Sequence, residues 1–388
     1  MNHDELMAWA EGMVAPLAER AAETERLREL PPATIAAAEE SGYFQMVVPS
    51  DLGGWGLGLP GLLQSTRVLA HGCMSSAWTL SFLALHNWFV ARGPRELQEE
   101  IWGERSYAKI PCPLAPTGTA VPVEGGYQIS GRWQWATGVQ HGDWVMVNCM
   151  VDRGAGRESM FFLAPIGDVE VDDVWHTSGM RGTGSNDVVA TDLFVPEVRT
   201  LTADQLRGDN PPGGAISADP FVTYPLTPVL TLVAASPALG GAEAAVDLFR
   251  DYIRSRVLPY SAGDRQAEQA PSQVRLAEAI ATVRAARLVW EDAMTELCST
   301  YDAGGRIERA DRGRFRLAAA HTVRLSLQAV GIMVEGAGAS VHFADSPLGR
   351  IHRDLVTLKG HVVYDWDRAA QLAGKLELGI EPGPADML

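Results

Sequence analysis

Cysteine is scarce in this sequence: four residues in 388, Cys73, Cys112, Cys149 and Cys298. They form no CxxC pair and no dense framework, which argues against a disulfide-stapled fold and a thiolate zinc site, and no metal is expected. Positive charge is also short. Against 48 acidic residues stand 32 Lys and Arg, a net charge of -16 that repels a phosphate backbone, so no nucleic-acid partner is expected. No uninterrupted apolar run reaches the roughly 20 residues of a bilayer span. The start, "MNHDELMAWAEGM", carries acids where a secretory leader needs a basic region, so a cytoplasmic protein without a membrane partner is expected. What is present is an ordinary globular balance, 46% apolar and 21% charged. The length allows two or three domains and a substantial core.

The texture of the chain changes twice. Residues 1–110 read mainly as helix, with "ELMAWAEGMVAPLAERAAETERLREL" rich in Ala, Leu and Glu and a Gly/Pro loop at "MVVPSDLGGWGLGLP". Residues 111–215 hold short β-rich runs between Gly and Asp turns: "YQISGRWQWATG", "DWVMVNCMV", "SMFFLAPI" and "DVVATDLFV". The linker "GDNPPGGAISADP" follows, and residues 216–388 return to amphipathic helix. Three domains are therefore expected, helical, β and helical, in an α+β fold that is mostly α.

Within the β region, "SGRWQWATGVQHGDW" places three tryptophans near a threonine. An extended strand puts Trp133, Trp135 and Thr137 on one face, a flat aromatic platform ending in a hydroxyl. Such a face suits a planar ligand. Large core residues account for the tryptophans equally well.

In order and in motif the chain resembles the acyl-CoA dehydrogenase superfamily. "AEESGYFQMVVPSDLGG", "WHTSGMRGTGSNDVVATDLFVP" and "DSPLGRIHRD" carry the likeness along nearly its whole length. The resemblance implies a helical N-terminal domain, a central β-barrel-like domain and a C-terminal four-helix bundle. "SSAWTLSFLALH", "SGRWQWATGVQHGDW" and "MRGTGSND" resemble more narrowly the flavin-dependent group D monooxygenases that share this fold. There a separate NAD(P)H:flavin reductase supplies reduced flavin, FMNH2 or FADH2, and O2 is the co-substrate. By this resemblance Thr137 sits near flavin N5, and Trp78, Trp133, Trp135 and Gly138 border the ring. Arg256 and Gln273 approach the flavin phosphate, and Gly336 and Gly338 in "EGAGAS" permit close backbone approach, although a helix–helix turn explains those glycines equally well. Arg181, Thr183 and Ser185 either line the pocket or close the β domain.

One absence separates this chain from the dehydrogenases proper. Abstracting the α-proton of a thioester needs a carboxylate base. "RDLVTLKGHVV" has no acid between Asp354 and Asp365, and "YPLTPVLTLVAASPALGG" has none either. His361 stands there instead, an imidazole suited to take a proton from a phenol or an amine. His86, eight residues after Trp78 and two helical turns away, is the second candidate. His141 reads as a residue that orders its turn, with Asp143 as partner, and not as a catalytic group.

The expectation is a two-component monooxygenase. It forms a C4a-hydroperoxyflavin, and His361, with His86 nearby, deprotonates a small-molecule substrate. An aromatic ring is preferred because Trp78, Trp88 and Trp135 offer stacking surface. Oxidation of an amine or amino sugar uses the same chemistry. An acyl-CoA dehydrogenase or flavin oxidase, and a flavin-free structural homologue, are the rivals. The resemblance also implies a homotetramer.

Overall fold

The computed structural model describes residues 1–383, except 104, 155 and 260, together with residue 386. Its frame is set by how evenly apolar residues are spread around each helix. Helix α1 (His3–Leu27) is amphipathic and opens on a capping box, with Asn2 and Glu5 each satisfying the other's backbone N–H. Helices α2 (Pro32–Ser41) and α3 (Gly58–Leu69) flank it. In α4 (Met74–Arg92) all but one side chain is buried. A helix apolar all round belongs in the interior, and α4 packs against α3 and against α7 (Leu226–Ser255). Helix α5 (Arg95–Trp102) completes the N-terminal group.

Seven strands follow. They are β1 (Gly118–Val123), β2 (Gly126–Ala136), β3 (Trp144–Asp152), β4 (Arg157–Pro165), β5 (Glu170–Asp172), β6 (Asn186–Pro196) and β7 (Thr200–Thr202). They form one sheet in the order β5-β6-β2-β1-β3-β4-β7. Only the β1–β3 pair is parallel. The four expected strands are present, as β2, β3, β4 and β6. The sheet has its own apolar cluster around Ile129, Trp133, Val147 and Phe162, separate from the larger helical core.

The "GDNPPGGAISADP" stretch is not a free linker. After α6 (Ala203–Arg207), the chain is pinned by Arg92, which is fully buried and donates to the carbonyls of Leu206, Gly208, Val222 and Tyr224 at 2.7–2.8 Å. The remaining helices are α7, α8 (Ala270–Asp302), α9 (Gly313–Ala337), α10 (Pro347–Leu358) and α11 (Trp366–Glu377). Contrary to the sequence expectation, residues 226–255 and 309–337 are long and apolar enough to cross a membrane. The apolar window of α7 is entirely buried against other helices, so its hydropathy reflects a place in the protein core.

Candidate functional site

Helix α4 carries an aromatic row on one face. Trp78, Phe82 and His86 are spaced four residues apart and therefore stack along the helix. Ring centroids are 4.5 Å apart for Trp78–Phe82, 5.7 Å for Phe82–His86 and 4.9 Å for His86–Phe89. His361, in the turn after α10, meets the first ring edge-on at 5.5 Å from Trp78. Trp78 reaches β2 as well, its indole N–H donating to Thr137 Oγ1 at 3.2 Å.

Thr137 begins a row of hydroxyls whose proton order can be read from its end. Thr183 Oγ1 lies 3.0 Å from Met180 O, a carbonyl that only accepts, so the Thr183 proton points there. Ser185, 2.8 Å from Thr183, therefore donates to it, and Thr137, 3.0 Å from Ser185, donates to Ser185. Thr137 also accepts from Trp78, which leaves its oxygen one open lone pair and no proton to give. The far end is fixed by Asp354 of α10, which accepts from Met180 N–H at 2.5 Å. Asp354 is fully enclosed, and that burial pushes its carboxyl up to about 7. Of the residues left open between pocket and scaffold, Thr183 and Ser185 belong to this row. Arg181 donates instead to the backbone carbonyls of Glu25 and Thr177 and ties the sheet to α1.

The tryptophan platform does not form as the alternation predicts. A bulge lies between Trp133 and Ala136, and Trp135 takes φ +67°. The extra residue breaks the period of two, so Trp133 and Trp135 end in opposite environments. Trp133 is fully buried in the sheet core, donates to Asn148 O at 2.7 Å, and lies where a Cβ on Gly118 would collide with it. It is a core residue and not a ring wall, which corrects the sequence reading. Trp135 is 58% exposed, edge-on to Trp175 at 6.1 Å. A strained backbone that holds a large indole in the open is the feature of this strand that invites a flat ligand. Gly138 follows at φ +67° and donates to Thr183 O at 2.8 Å. A Cβ there would press on Thr79 at 2.8 Å, so the residue is needed for close packing onto α4.

The two histidines differ in which nitrogen carries hydrogen. His86 is buried, and its Nδ1 lies 2.5 Å from Ile110 O, so Nδ1 carries the proton and Nε2 keeps its lone pair. His361 is the reverse. The backbone N–H of Val363 donates to its Nδ1 at 3.2 Å, so the neutral ring carries its proton on Nε2. Burial pushes His86 down to about 4. His361 falls to about 4 as well because protein atoms crowd its ring, even though the residue as a whole is open to solvent. Solvent access moderates the second shift, and both rings are neutral at pH 7. Tyr364, at 5.7 Å from His361, is buried with its hydroxyl unpaired among the described residues. His141 does not bond Asp143, which is held by Lys109 and Arg105. Trp88 is fully buried, stacked on Phe221 and bonded to its carbonyl at 2.7 Å, so it offers no stacking surface.

The residues expected near a phosphate lie on other elements. Arg256 ends α7, donates to Ala337 O and stacks on Tyr252 at 5.2 Å. Gly338 has φ +72° and leaves room for that guanidinium, since a Cβ would sit 3.3 Å from it. A Cβ on Gly336 would meet Phe249 at 2.7 Å. Gln273 is exposed and donates to Ala267 O, whereas buried Gln266, which sequence reading missed, bridges to Gly336 O at 2.7 Å. A groove of about 500 Å³ opens beside this group, lined by Tyr252, Ser255, Ser340 and Phe343 among others. It holds no imidazole and none of the hydroxyl row. The chemistry-bearing side chains meet instead around Trp78, which bonds Thr137 and packs against Phe82 and His361.

Among the described residues, the carboxylates of α7 and of the segment around His361 are engaged elsewhere. Asp354 is bound to Met180 N, and Asp365 caps α11 by accepting from Arg368 N at 3.0 Å. Glu243 of α7 is held by Arg67, His71 and Arg287.

Known proteins share this architecture. The pattern described as "Acyl-CoA dehydrogenase, N-terminal domain" matches residues 1–104, and "Acyl-CoA dehydrogenase, C-terminal domain" matches residues 232–366. The chain is 31% identical to the flavin-dependent monooxygenase oxygenase subunit HsaA of Mycobacterium tuberculosis, over 97% of its own length and 96% of that protein's. It is 31% identical to the FADH(2)-dependent resorcinol hydroxylase oxygenase component of a Rhizobium species, over 98% and 95%. The crystal structure of 3-HSA hydroxylase from Rhodococcus sp. RHA1 superposes with a TM-score of 0.93 at 29% identity, covering 100% of both chains.

Proposed function

The chain belongs to the acyl-CoA dehydrogenase superfamily, in its branch of flavin-dependent monooxygenase oxygenase subunits, and we propose that it hydroxylates a phenolic small molecule. The observation that carries this reading is the proton order at Thr137. Its oxygen has a free lone pair and no free proton, so it can only accept from a ligand. Reduced flavin presents an N–H at N5 and oxidised flavin a bare acceptor there, so the open acceptor at Thr137 favours the reduced form. Reduced flavin, FMNH2 or FADH2 delivered by a separate reductase, supplies the electrons and the O2-activating ring when bound. Trp135 offers flat surface, Trp78 fixes Thr137 through its indole N–H, and Gly138 keeps Thr137 close to α4.

The imidazoles divide the proton handling. His361 offers Nε2–H, which orients and stabilises a developing phenolate oxygen. His86 offers the open Nε2 lone pair, which accepts from the substrate hydroxyl and takes its proton as charge leaves the oxygen. This reverses the sequence expectation, in which His361 was the base; the N–H of Val363 occupies the nitrogen that the neutral ring would need. That the carboxylates of α7 and of the segment around His361 are engaged elsewhere counts against the dehydrogenase and oxidase alternatives. We further propose a homotetramer, because α8 exposes Val274, Ile280 and Leu288 on its outer side, and a cytoplasmic setting, because all four cysteines are free thiols.

The test mixes anaerobic protein with photoreduced FMN or FAD and a panel of phenols, then admits O2. Hydroxylated product formed in proportion to flavin oxidised supports the reading. Reoxidation at the rate of free flavin, with peroxide as the sole product, overturns it. Bleaching of bound oxidised FAD by an acyl-CoA thioester would instead establish the dehydrogenase.

A further inference from the structure

Arg316 of α9 is 2% exposed and has no carboxylate within ion-pair distance among the described residues. A buried guanidinium without a counterion is costly unless each donor finds an acceptor. Its donors go to one turn: Nε donates to Val363 O and Nη2 to Val362 O, each at 3.0 Å. The second carbonyl matters most. Val362 C=O and Val363 N–H are the two ends of a single peptide group, and that N–H is the one that donates to His361 Nδ1. A cation at the oxygen end of a peptide withdraws electron density and makes its N–H a stronger donor.

We infer that Arg316 is the positioning residue of His361: through the Val362–Val363 peptide it fixes the imidazole's place and holds its proton on Nε2. The guanidinium touches neither substrate nor cofactor. Val363 and Tyr364 of this turn are buried, and Arg316 fastens its exposed edge, Val362 at 44% together with His361, to the central helix of the bundle. A lysine cannot reproduce this, because a single ammonium does not present the fixed fork that meets two successive carbonyls. That His361 acts on substrate rests on the function proposed above; the link from Arg316 to His361 does not.

The experiment records 15N solid-state spectra of histidine-labelled, flavin-free protein, with the His361 signals assigned by their loss in His361→Asn. Wild type should show one neutral tautomer with hydrogen on Nε2. In Arg316→Met those signals should spread over both tautomers, and product per flavin oxidised should fall about tenfold, less than the roughly hundredfold or more of a deleted proton-transfer group, because the imidazole is mispositioned and not removed. Reduced-flavin affinity should stay within about twofold, because Thr137, Trp78 and Trp135 are untouched. Arg316→Lys should lie between the two. If Arg316→Met fails to fold, Val363→Pro removes the N–H while keeping the guanidinium and should give the same spectral change. A single Nε2–H tautomer in a folded Arg316→Met or Val363→Pro protein overturns the inference, as does an Nδ1–H tautomer in wild type. Tautomer mixing with undiminished product yield would uphold the Arg316 link and overturn the role of His361 in hydroxylation.

Discussion

The two halves of the candidate cofactor site are built in opposite ways. Around Thr137 the donors and acceptors are engaged one after another, from Trp78 through Ser185 and Thr183 to Met180 and Asp354, and one lone pair is left for a ligand. Around Arg256 the guanidinium and the Gln273 amide are occupied by their own backbone, and the neighbouring groove is wide. The first half is preorganised within one chain, so a ligand there meets groups that need not rearrange. At the second half a ligand must compete with bonds already made, so the anchor there contributes less to discrimination. The chemistry of a flavin oxygenase belongs to the ring, and the rigid half is where the ring's chemistry would be read.

The largest expected effect is at Thr137. Thr137→Val keeps the shape and deletes the acceptor, so product per flavin oxidised should drop by about a hundredfold while peroxide rises, in line with removing one preorganised polar group from an active site. Stopped-flow oxidation with product analysis checks it, and an unchanged yield would erase the distinction between the halves. The next effect is at His86. His86→Asn retains a donor for Ile110 O and loses only the Nε2 lone pair. Hydroxylation should slow by about thirtyfold with the melting temperature little changed, less than the roughly hundredfold or more of a lone general base because His361 still stabilises the phenolate.

The two tryptophans of β2 sharpen the contrast in another quantity. Trp133→Ala should cost about 4 kcal/mol of stability, as for other buried aromatics, whereas Trp135→Ala should cost under about 1 kcal/mol and weaken flavin binding instead. Chemical denaturation and flavin titration of both variants separate them.

Asp354 gives a pH test. Its folded carboxyl titrates near 7, above the usual carboxylate range. The folded state therefore holds this proton more tightly, and its contribution is fully present below about pH 4 and is lost as pH rises through 7. Asp354→Asn should remove a slope of at most ~1.4 kcal/mol per pH unit between those limits, measured as the difference in unfolding free energy from wild type. The smallest effect belongs to the looser half. Gln273→Ala should change reduced FAD affinity by less than about twofold, since its amide is exposed and bonded to Ala267 O just before its own helix. A large loss would show that the phosphate half is preorganised to the same degree as the ring half.

Much of this was legible in the residues. Helical periodicity located α1, α4 and the bundle, β-rich runs located four strands, and the spacing of Trp78 and His86 placed the two on nearby faces of one helix, although Phe82 between them went unread. The missing acid after Asp354 was equally plain. Trp133 was misread because alternation holds only in a regular strand, and the bulge depends on pairing with β6. His361 was recognised, but the Val363 N–H that meets its Nδ1 was not, and Arg316 was missed altogether, because 45 residues separate it from His361.

Local propensity and composition already set which elements form, which side chains carry chemistry, and that no acid lies between Asp354 and Asp365. Only the tertiary structure decided where protons sit. A hydroxyl or imidazole has no intrinsic direction, and its donor or acceptor role is assigned by the partner the fold brings to it. Ile110 O fixes His86, Val363 N–H fixes His361, and Met180 O fixes the row that ends at Thr137.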